Sequence, residues 1–321
     1  MRAWLTAPGE RWDLAERPVP EAGAFQVLVR VRAAAVNRAD LDEADGSYRP
    51  RGTGTDRHVA GSDVTGEVVD VGSDVTGVRI GDRVLAMVEG ALAEYVALDH
   101  RLVIPVPARL TAEQAAALPS ALMTEYDALI RQGGMPPGGS VLITAGTSGV
   151  GLIGAEIARW AGAGAVAVTT TRAQAPPELA GRGLRVITGG IGGLRGAVAD
   201  GLRADLIVDH TGGDWLDELI AATRIGGTIM QVGRLAGRRA ALDLDRLALR
   251  RVRIVGTTFR TRDDEQRAAI AAAIRRDLSA AVDSGEITPV VARTVPFAEA
   301  DRAVELLRGG GLVGKVVVLF G

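Results

Sequence analysis

A glycine-rich turn held between two short apolar strands constrains this chain more than any other feature. Residues 141–172 read VLITAGTSGVGLIGAEIARWAGAGAVAVTTTR. Val141-Leu142-Ile143 is an apolar run of a length suited to a buried parallel strand. Gly146-Thr147-Ser148-Gly149-Val150-Gly151 follows; then Leu152, Ile153, Ile157 and Trp160 recur at helical spacing up to the break at Gly162 and Gly164. Ala165-Val166-Ala167-Val168 supplies a second strand. Strand, small-residue turn, helix and strand make a βαβ unit in which backbone N–H groups and the positive end of a helix can receive a pyrophosphate.

Two registers are open for the glycines. A G-x-G-x-x-G at Gly149, Gly151 and Gly154 puts its last glycine one turn into the helix, far from the strand. The register beginning at Gly146, with Ser148 at the middle-glycine position and then Gly149 and Gly151, is the better one. Gly146, Thr147, Ser148, Gly149, Val150 and Gly151 are therefore the expected pyrophosphate contacts. The end of the second strand selects the nucleotide. No acid occurs between Glu156 and Glu178 to hold a ribose 2′-hydroxyl. The strand ends Thr169-Thr170-Thr171-Arg172, hydroxyls and a guanidinium that suit a 2′-phosphate, so NADPH is the expected cofactor. The plainer alternative is a solvated turn with an incidental arginine.

A length of 321 residues accommodates about two domains. A formal charge of -2 with 3% aromatic residues disfavours a nucleic-acid partner, because both phosphate neutralisation and stacking are poorly served. The chain has no cysteine, which excludes disulfides, thiolate catalysis and cysteine-ligated zinc. No apolar run reaches membrane-spanning length, and Met1-Arg2-Ala3-Trp4-Leu5 leads into a charged strand pattern, not a signal peptide. No membrane partner and a cytoplasmic location are expected. Lys315 is the only lysine among 37 basic residues, a bias that reads as codon usage.

Along the chain, residues 25–32 alternate as a half-buried antiparallel strand does. Residues 46–58 read as a loop, and short strands near 61–72, 81–85 and 93–96 suggest a small β-barrel or sandwich. Thr111 with Gln114 resembles a capping box; Pro119 interrupts that helix, and a second is expected over 122–132. Beyond Arg172, strands at 186–187, 205–209, 226–233 and 253–256 with a helix at 216–223 continue a doubly wound parallel sheet. Helices are expected over 263–284 and 298–308, and a last strand over 315–320.

Taken together, Val36-Asn37-Arg38-Ala39-Asp40, Gly61-Ser62-Asp63-Val64-Thr65-Gly66, Gly81-Asp82-Arg83-Val84, Ala93-Glu94-Tyr95, the Gly146 turn, DLIVDHTG from Asp205 and Gly314-Lys315 resemble the medium-chain dehydrogenase/reductase superfamily. The likeness covers essentially the whole chain and is greatest to the zinc-free quinone oxidoreductase and enoyl reductase branch, the zeta-crystallin-like proteins. It implies an α/β fold with a GroES-like β-rich catalytic domain, residues 1–120 and 259–321, interrupted by a Rossmann domain, residues 121–258, and a homodimer. Nicotinamide and a small-molecule substrate would lie in the cleft between the domains. Zinc-dependent relatives carry a cysteine where Asn37 stands and a histidine-glutamate pair where Ser62-Asp63 stand, so no metal is expected here. By the same resemblance, Asn37 would face the nicotinamide ribose or the substrate, and Thr124 would contact nicotinamide. Val232-Gly233 would give backbone contacts to it, and Phe259-Arg260 would pass near the cofactor. Tyr48, the only tyrosine in the presumed substrate loop, could donate a proton after hydride transfer. These features imply hydride transfer from NADPH to a quinone or an α,β-unsaturated carbonyl, with an enoyl-thioester reductase or a non-catalytic dinucleotide-binding protein as rivals.

Overall fold

The computed structural model describes residues 1–46 and 57–321. They form two compact units, Met1–Met123 with Phe259–Gly321, and Thr124–Thr258.

The Thr124–Thr258 unit is built on six parallel strands. In chain order these are Ser140–Ile143, Ala165–Thr169, Arg185–Ile187, Ala204–Asp209, Thr223–Gln231 and Arg253–Gly256, and across the sheet they stand 3-2-1-4-5-6. That order is the doubly wound Rossmann arrangement, with its reversal between Ser140–Ile143 and Ala204–Asp209. Helices cover both faces, which is why the central strands read as unbroken apolar runs: Val141, Leu142, Ile143, Leu206, Ile207 and Val208 are all buried. Leu142, Ile207 and Ile229 pack with Trp215, Leu219 and Ile220 of the Trp215–Ala222 helix. Two further helices, Gly190–Ala199 and Leu244–Arg250, were not anticipated from the sequence.

The helix expected over 122–132 takes a different form. It runs from Pro119 to Tyr126 and then widens into a π-helical turn, Asp127–Gln132. Buried Asp127 accepts a hydrogen bond from Thr257 Oγ1 (3.3 Å) and another from Gln132 Nε2, while Gln132 Nε2 also donates to Thr257 Oγ1 at 2.9 Å. These side-chain bonds compete with regular pitch and favour the wider turn.

The other unit is β-rich, as expected. Its largest sheet runs in the order Val291–Pro296, Lys315–Leu319, Gln26–Val36, Asp63–Val71, Arg83–Met87 and Ile104–Pro105, with Tyr95–Asp99 also paired to Gln26–Val36. The last strand of the chain thus pairs with one of the first, Val316 opposite Val36 and Leu319 opposite Ala33. A three-stranded sheet of Asp13–Glu16, Arg2–Thr6 and His58–Val59 packs with it through Trp4 and Trp12. The Thr111–Gln114 capping box is present and starts a short helix, Ala112–Ala116. The long helix, Asp264–Ser284, opens on Asp263 as cap and ends at left-handed Gly285. Among the described residues no helix is long and apolar enough to cross a membrane.

Candidate functional site

The glycine turn lies at the carboxyl end of Ser140–Ile143, beside the point where strand order reverses. A Cβ on Gly146 would lie 2.3 Å from Cβ of Val168 in the neighbouring strand, so only glycine lets the chain pass this close. The Gly146 N–H donates to Thr169 O (2.8 Å), and the Ala145 N–H donates to Thr169 Oγ1 (3.2 Å). Ala145 occupies the left-handed region at φ 51°, a conformation unfavourable for alanine that turns the chain sharply out of the strand. Ser148 caps the Gly149–Trp160 helix, its Oγ accepting from the Gly151 N–H at 3.0 Å. The N–H groups of Gly149 and Val150 then begin the helix without intrahelical acceptors. A Cβ on Gly151 would approach Ala145 O to 2.7 Å. Thr147 and Val150 are half-buried at the same turn. Backbone N–H groups at a helix start, approached over a glycine turn, are the features that receive anions such as a pyrophosphate. Gly154 serves another purpose: its missing side chain makes room for the Glu125 carboxylate, whose Oε2 would lie 2.3 Å from a Cβ there.

At the end of Ala165–Thr169, Thr170 is buried and its Oγ1 accepts from the Arg172 N–H at 3.3 Å. The Arg172 carbonyl accepts from the Gly189 N–H at 2.8 Å, which ties the two strand-end loops together. Thr170 therefore shapes the loop, and Arg172 lies half-buried beside it. At the opposite side of the reversal, the N–H groups of Val232 and Gly233 both donate to Asp209 O (2.8 and 2.9 Å). Thr124 lies half-buried on the Pro119–Tyr126 helix.

The β-rich unit holds a second polar cluster. Lys315, buried, donates from Nζ to Asp63 Oδ2 at 2.8 Å and also to Asn37 Oδ1. Asn37 Nδ2 reaches Asp63 Oδ2 and Ser62 Oγ, each at 3.0 Å. The second oxygen of Asp63 accepts from Ser120 N (2.7 Å) and Ser120 Oγ (2.5 Å). Asn37 precedes the Arg38–Ala44 helix, and its backbone N–H donates to Asp40 Oδ2 at 2.6 Å. Every polar atom of the Asn37 amide is thus engaged, so the side chain is a fixed wall. Asp63 is fully buried, and both its oxygens are taken by Lys315, Asn37 and Ser120. These donors do not fit a zinc ion: there is no thiolate, no imidazole, and the Asp63 carboxylate is already neutralised by an ammonium. Among the described residues no three His, Cys, Asp or Glu side chains converge as a metal site.

Sequence reasoning named Asn37 but missed Lys315 and Asp40; a lone lysine in an arginine chain was the available signal. Burial pushes the Asp40 carboxyl up to about 7, and the nearby Asp63 and Glu43 add to the rise against the pull of the Asn37 N–H and Lys315. Between its ordinary value of 3.8 and about 7, folded Asp40 keeps a proton that the unfolded chain releases. The sign follows: this group makes the protein less stable as pH rises through that window, with no further change above it. Replacing Asp40 by Asn should add little stability near pH ~4 and up to about 4 kcal/mol near pH ~8, read from urea unfolding of both proteins. A gain independent of pH would show that native Asp40 is already ionised across that whole window.

Tyr48 lies outside the described residues. Downstream of it, Arg57 pairs with Glu10 and Asp13 (3.2 and 3.0 Å), and His58 contacts Glu43. Phe259 and Arg260 begin the return segment, where Arg262 Cζ stacks 5.0 Å from the Phe259 ring. His210, just beyond the Ala204–Asp209 strand, meets buried Glu125.

Comparison with known proteins gives two matches to family descriptions: residues 23–108 to the alcohol dehydrogenase GroES-like domain, and residues 194–318 to zinc-binding dehydrogenase. The chain is 28% identical to acryloyl-coenzyme A reductase of Metallosphaera sedula, over 96% of each chain. It is 32% identical to the spectinabilin polyketide synthase system protein NorB of Streptomyces orinoci over 98% of its own length, but spans only 14% of that protein. Among solved structures, the quinone oxidoreductase from Thermus thermophilus, known also in complex with NADPH, superposes with a TM-score of 0.83 at 28% identity, over 99% of this chain and 100% of that one.

Proposed function

Because the chain belongs to the medium-chain dehydrogenase/reductase superfamily of oxidoreductases, we propose that it is an NADPH-dependent, zinc-independent reductase of electron-poor double bonds, with α,β-unsaturated thioesters as its substrate class. The observation that carries the reading is the Lys315–Asp63–Asn37 cluster. It replaces a metal-ligand set with a closed, neutral network, and an acceptor that needs Lewis-acid activation would find none. An enone or enoyl thioester is already polarised. The full-length likeness to an acryloyl-coenzyme A reductase supports the thioester, and the likeness to a quinone oxidoreductase supports quinones as a second acceptor class.

When bound, NADPH supplies the hydride; the protein's part is binding and orientation. The Gly146–Gly151 turn would receive the pyrophosphate on the N–H groups of Gly149 and Val150, and Arg172 the 2′-phosphate. Thr124, Val232, Gly233 and the fixed amide of Asn37 would border the nicotinamide end, with Phe259 and Arg260 alongside the cofactor. Hydride addition at the β-carbon leaves an enolate, and its proton comes from Tyr48 or from water. A cytoplasmic homodimer belongs to the same proposal.

The deciding experiment follows NADPH oxidation with crotonyl-coenzyme A, simple enones and 1,4-benzoquinone. Turnover of the thioester or enone supports the reading; tight NADPH binding without turnover of any acceptor replaces it with a binding role. Arg172→Ala should raise KM for NADPH roughly 10–100-fold, the loss of a charge-assisted phosphate contact, and leave KM for NADH unchanged. Equal effects on both nucleotides would remove Arg172 from the 2′-phosphate.

A further inference from the structure

Glu125 is fully buried, and neither carboxylate oxygen has an aligned hydrogen bond. Its counter-charge is His210, whose Nε2 stands 2.7 Å from Oε1, off-axis for a hydrogen bond and so foremost an ion pair. Both partners are built into the dinucleotide turn's surroundings. The Glu125 carboxylate fills the space left by Gly154 on the helix that follows the turn. His210 directly follows the Ala204–Asp209 strand, at the strand-order reversal, and its N–H donates to Thr144 Oγ1 at 2.7 Å. Thr144 Oγ1 in turn donates to Asp209 Oδ1 (3.1 Å), and Thr144 is the residue from which the Ala145–Ser148 turn departs. On the other side, the His210 carbonyl accepts from Leu235 N–H (3.2 Å), and a Cβ on Gly233 would lie 2.3 Å from it. His210 therefore touches both loops at the reversal.

We infer that Glu125 and His210 are positioning residues for the dinucleotide turn, holding it through one proton. With that proton the pair is neutral and locks the strand end, the turn and the following helix together. Without it, a carboxylate is left uncompensated in the interior, and the elements around it must shift or admit water. This inference rests on the reading of the turn as a dinucleotide site.

The charged groups facing His210 are Glu125, from the Pro119–Tyr126 helix, and Asp209, from its own strand. Burial works against a charged imidazole, but these two carboxylates outweigh it and hold the His210 pKa above the ordinary 6.5. The stabilisation is therefore complete below about 6.5 and is lost as pH rises through the folded value.

The test measures NADPH affinity of the whole protein from neutral pH to about 10, where the 2′-phosphate, with its second pKa of about 6, stays fully charged. Urea stability of the unliganded protein is followed over the same range. Wild-type affinity should weaken by up to about tenfold per pH unit beyond the His210 pKa. Glu125→Gln, which leaves neutral groups on both sides, should flatten that profile. If Glu125→Gln does not fold, Glu125→Gln/His210→Gln, which leaves no titrating group at the pair, serves instead and should show a flat profile. A variant profile that parallels the wild type overturns the inference. If the wild type binds neither NADPH nor NADH at any pH, the cofactor reading fails by itself, and the stability curves decide about the pair. Wild-type stability that declines with pH while the variant's stays level retains the proton-held pair; parallel curves overturn it.

Discussion

Replacing Lys315 by methionine is expected to destabilise the β-rich unit by about 3–5 kcal/mol, the range found when one partner of a buried ion pair is removed. Asp63 is fully buried, and Lys315 is the positive charge on its Oδ2. The hydrogen bonds from Ser120 and Asn37 satisfy its geometry but not its charge. A double variant separates charge from packing. In Asp63→Asn/Lys315→Met the ammonium and the carboxylate leave together, the new amide oxygen can still accept from Ser120, and the Asn37 amide, released by Lys315, can turn its Oδ1 toward the new Nδ2. The double variant should therefore recover most of the loss, ending within about 2 kcal/mol of wild type in urea unfolding. A double variant as unstable as Lys315→Met alone would mean that the lysine stem, not its charge, is what matters.

Gly146→Ala should weaken dinucleotide binding by about 100-fold or more. The added carbon would lie 2.3 Å from Val168 Cβ, and Val168 is fully buried in the strand beside it. Contact that close forces the turn away from the strand, breaks the Gly146 N–H bond to Thr169 O, and displaces the N–H groups of the helix start. A displacement of about 1 Å is enough to forfeit most of a preorganised anion site. Trimming the neighbour offers a sharp control. Because the clash is with Cβ, which alanine retains, Gly146→Ala/Val168→Ala should bind no better than Gly146→Ala. Titration of cofactor fluorescence measures both; recovery in the double variant would show that the outer methyls of Val168, not its Cβ, set the constraint.

The Rossmann unit was legible because its determinants are local. Apolar strand, small-residue turn and helix follow one another within a few residues, and their chemistry is a matter of backbone sterics. The Asp264–Ser284 helix was found to within a residue because Asp263 and Gln266 form its capping box and Gly285 ends it. What escaped notice falls into two kinds. The Gly190–Ala199 helix carries Gly192, Gly193 and Gly196, so its propensity is poor and packing of Leu194 and Ala197 decides it. The Leu244–Arg250 helix did carry a signal, Asp243 accepting from Arg246 N–H at 2.9 Å, but it has no buried face to give it periodicity. The second kind is long-range pairing. Lys315 and Asn37 are 278 positions apart, and His210 lies in a different element from Glu125. No spacing rule joins such residues. For the same reason the resemblance singled out Asn37 without revealing that its amide is immobilised.

The interleaving of the two units has a consequence for how the chain comes off the ribosome. Every strand of the parallel sheet has been made by residue 256, so that unit can close while synthesis continues. The β-rich unit cannot. One edge of Gln26–Val36 waits for Lys315–Leu319, and Asp63 waits for Lys315, until that stretch has emerged. Throughout that interval the nascent chain carries a long apolar strand with open hydrogen-bonding groups and a carboxylate without its counter-ion. Vectorial synthesis therefore makes the early strands, not the nucleotide fold, the part of this protein most in need of protection before release.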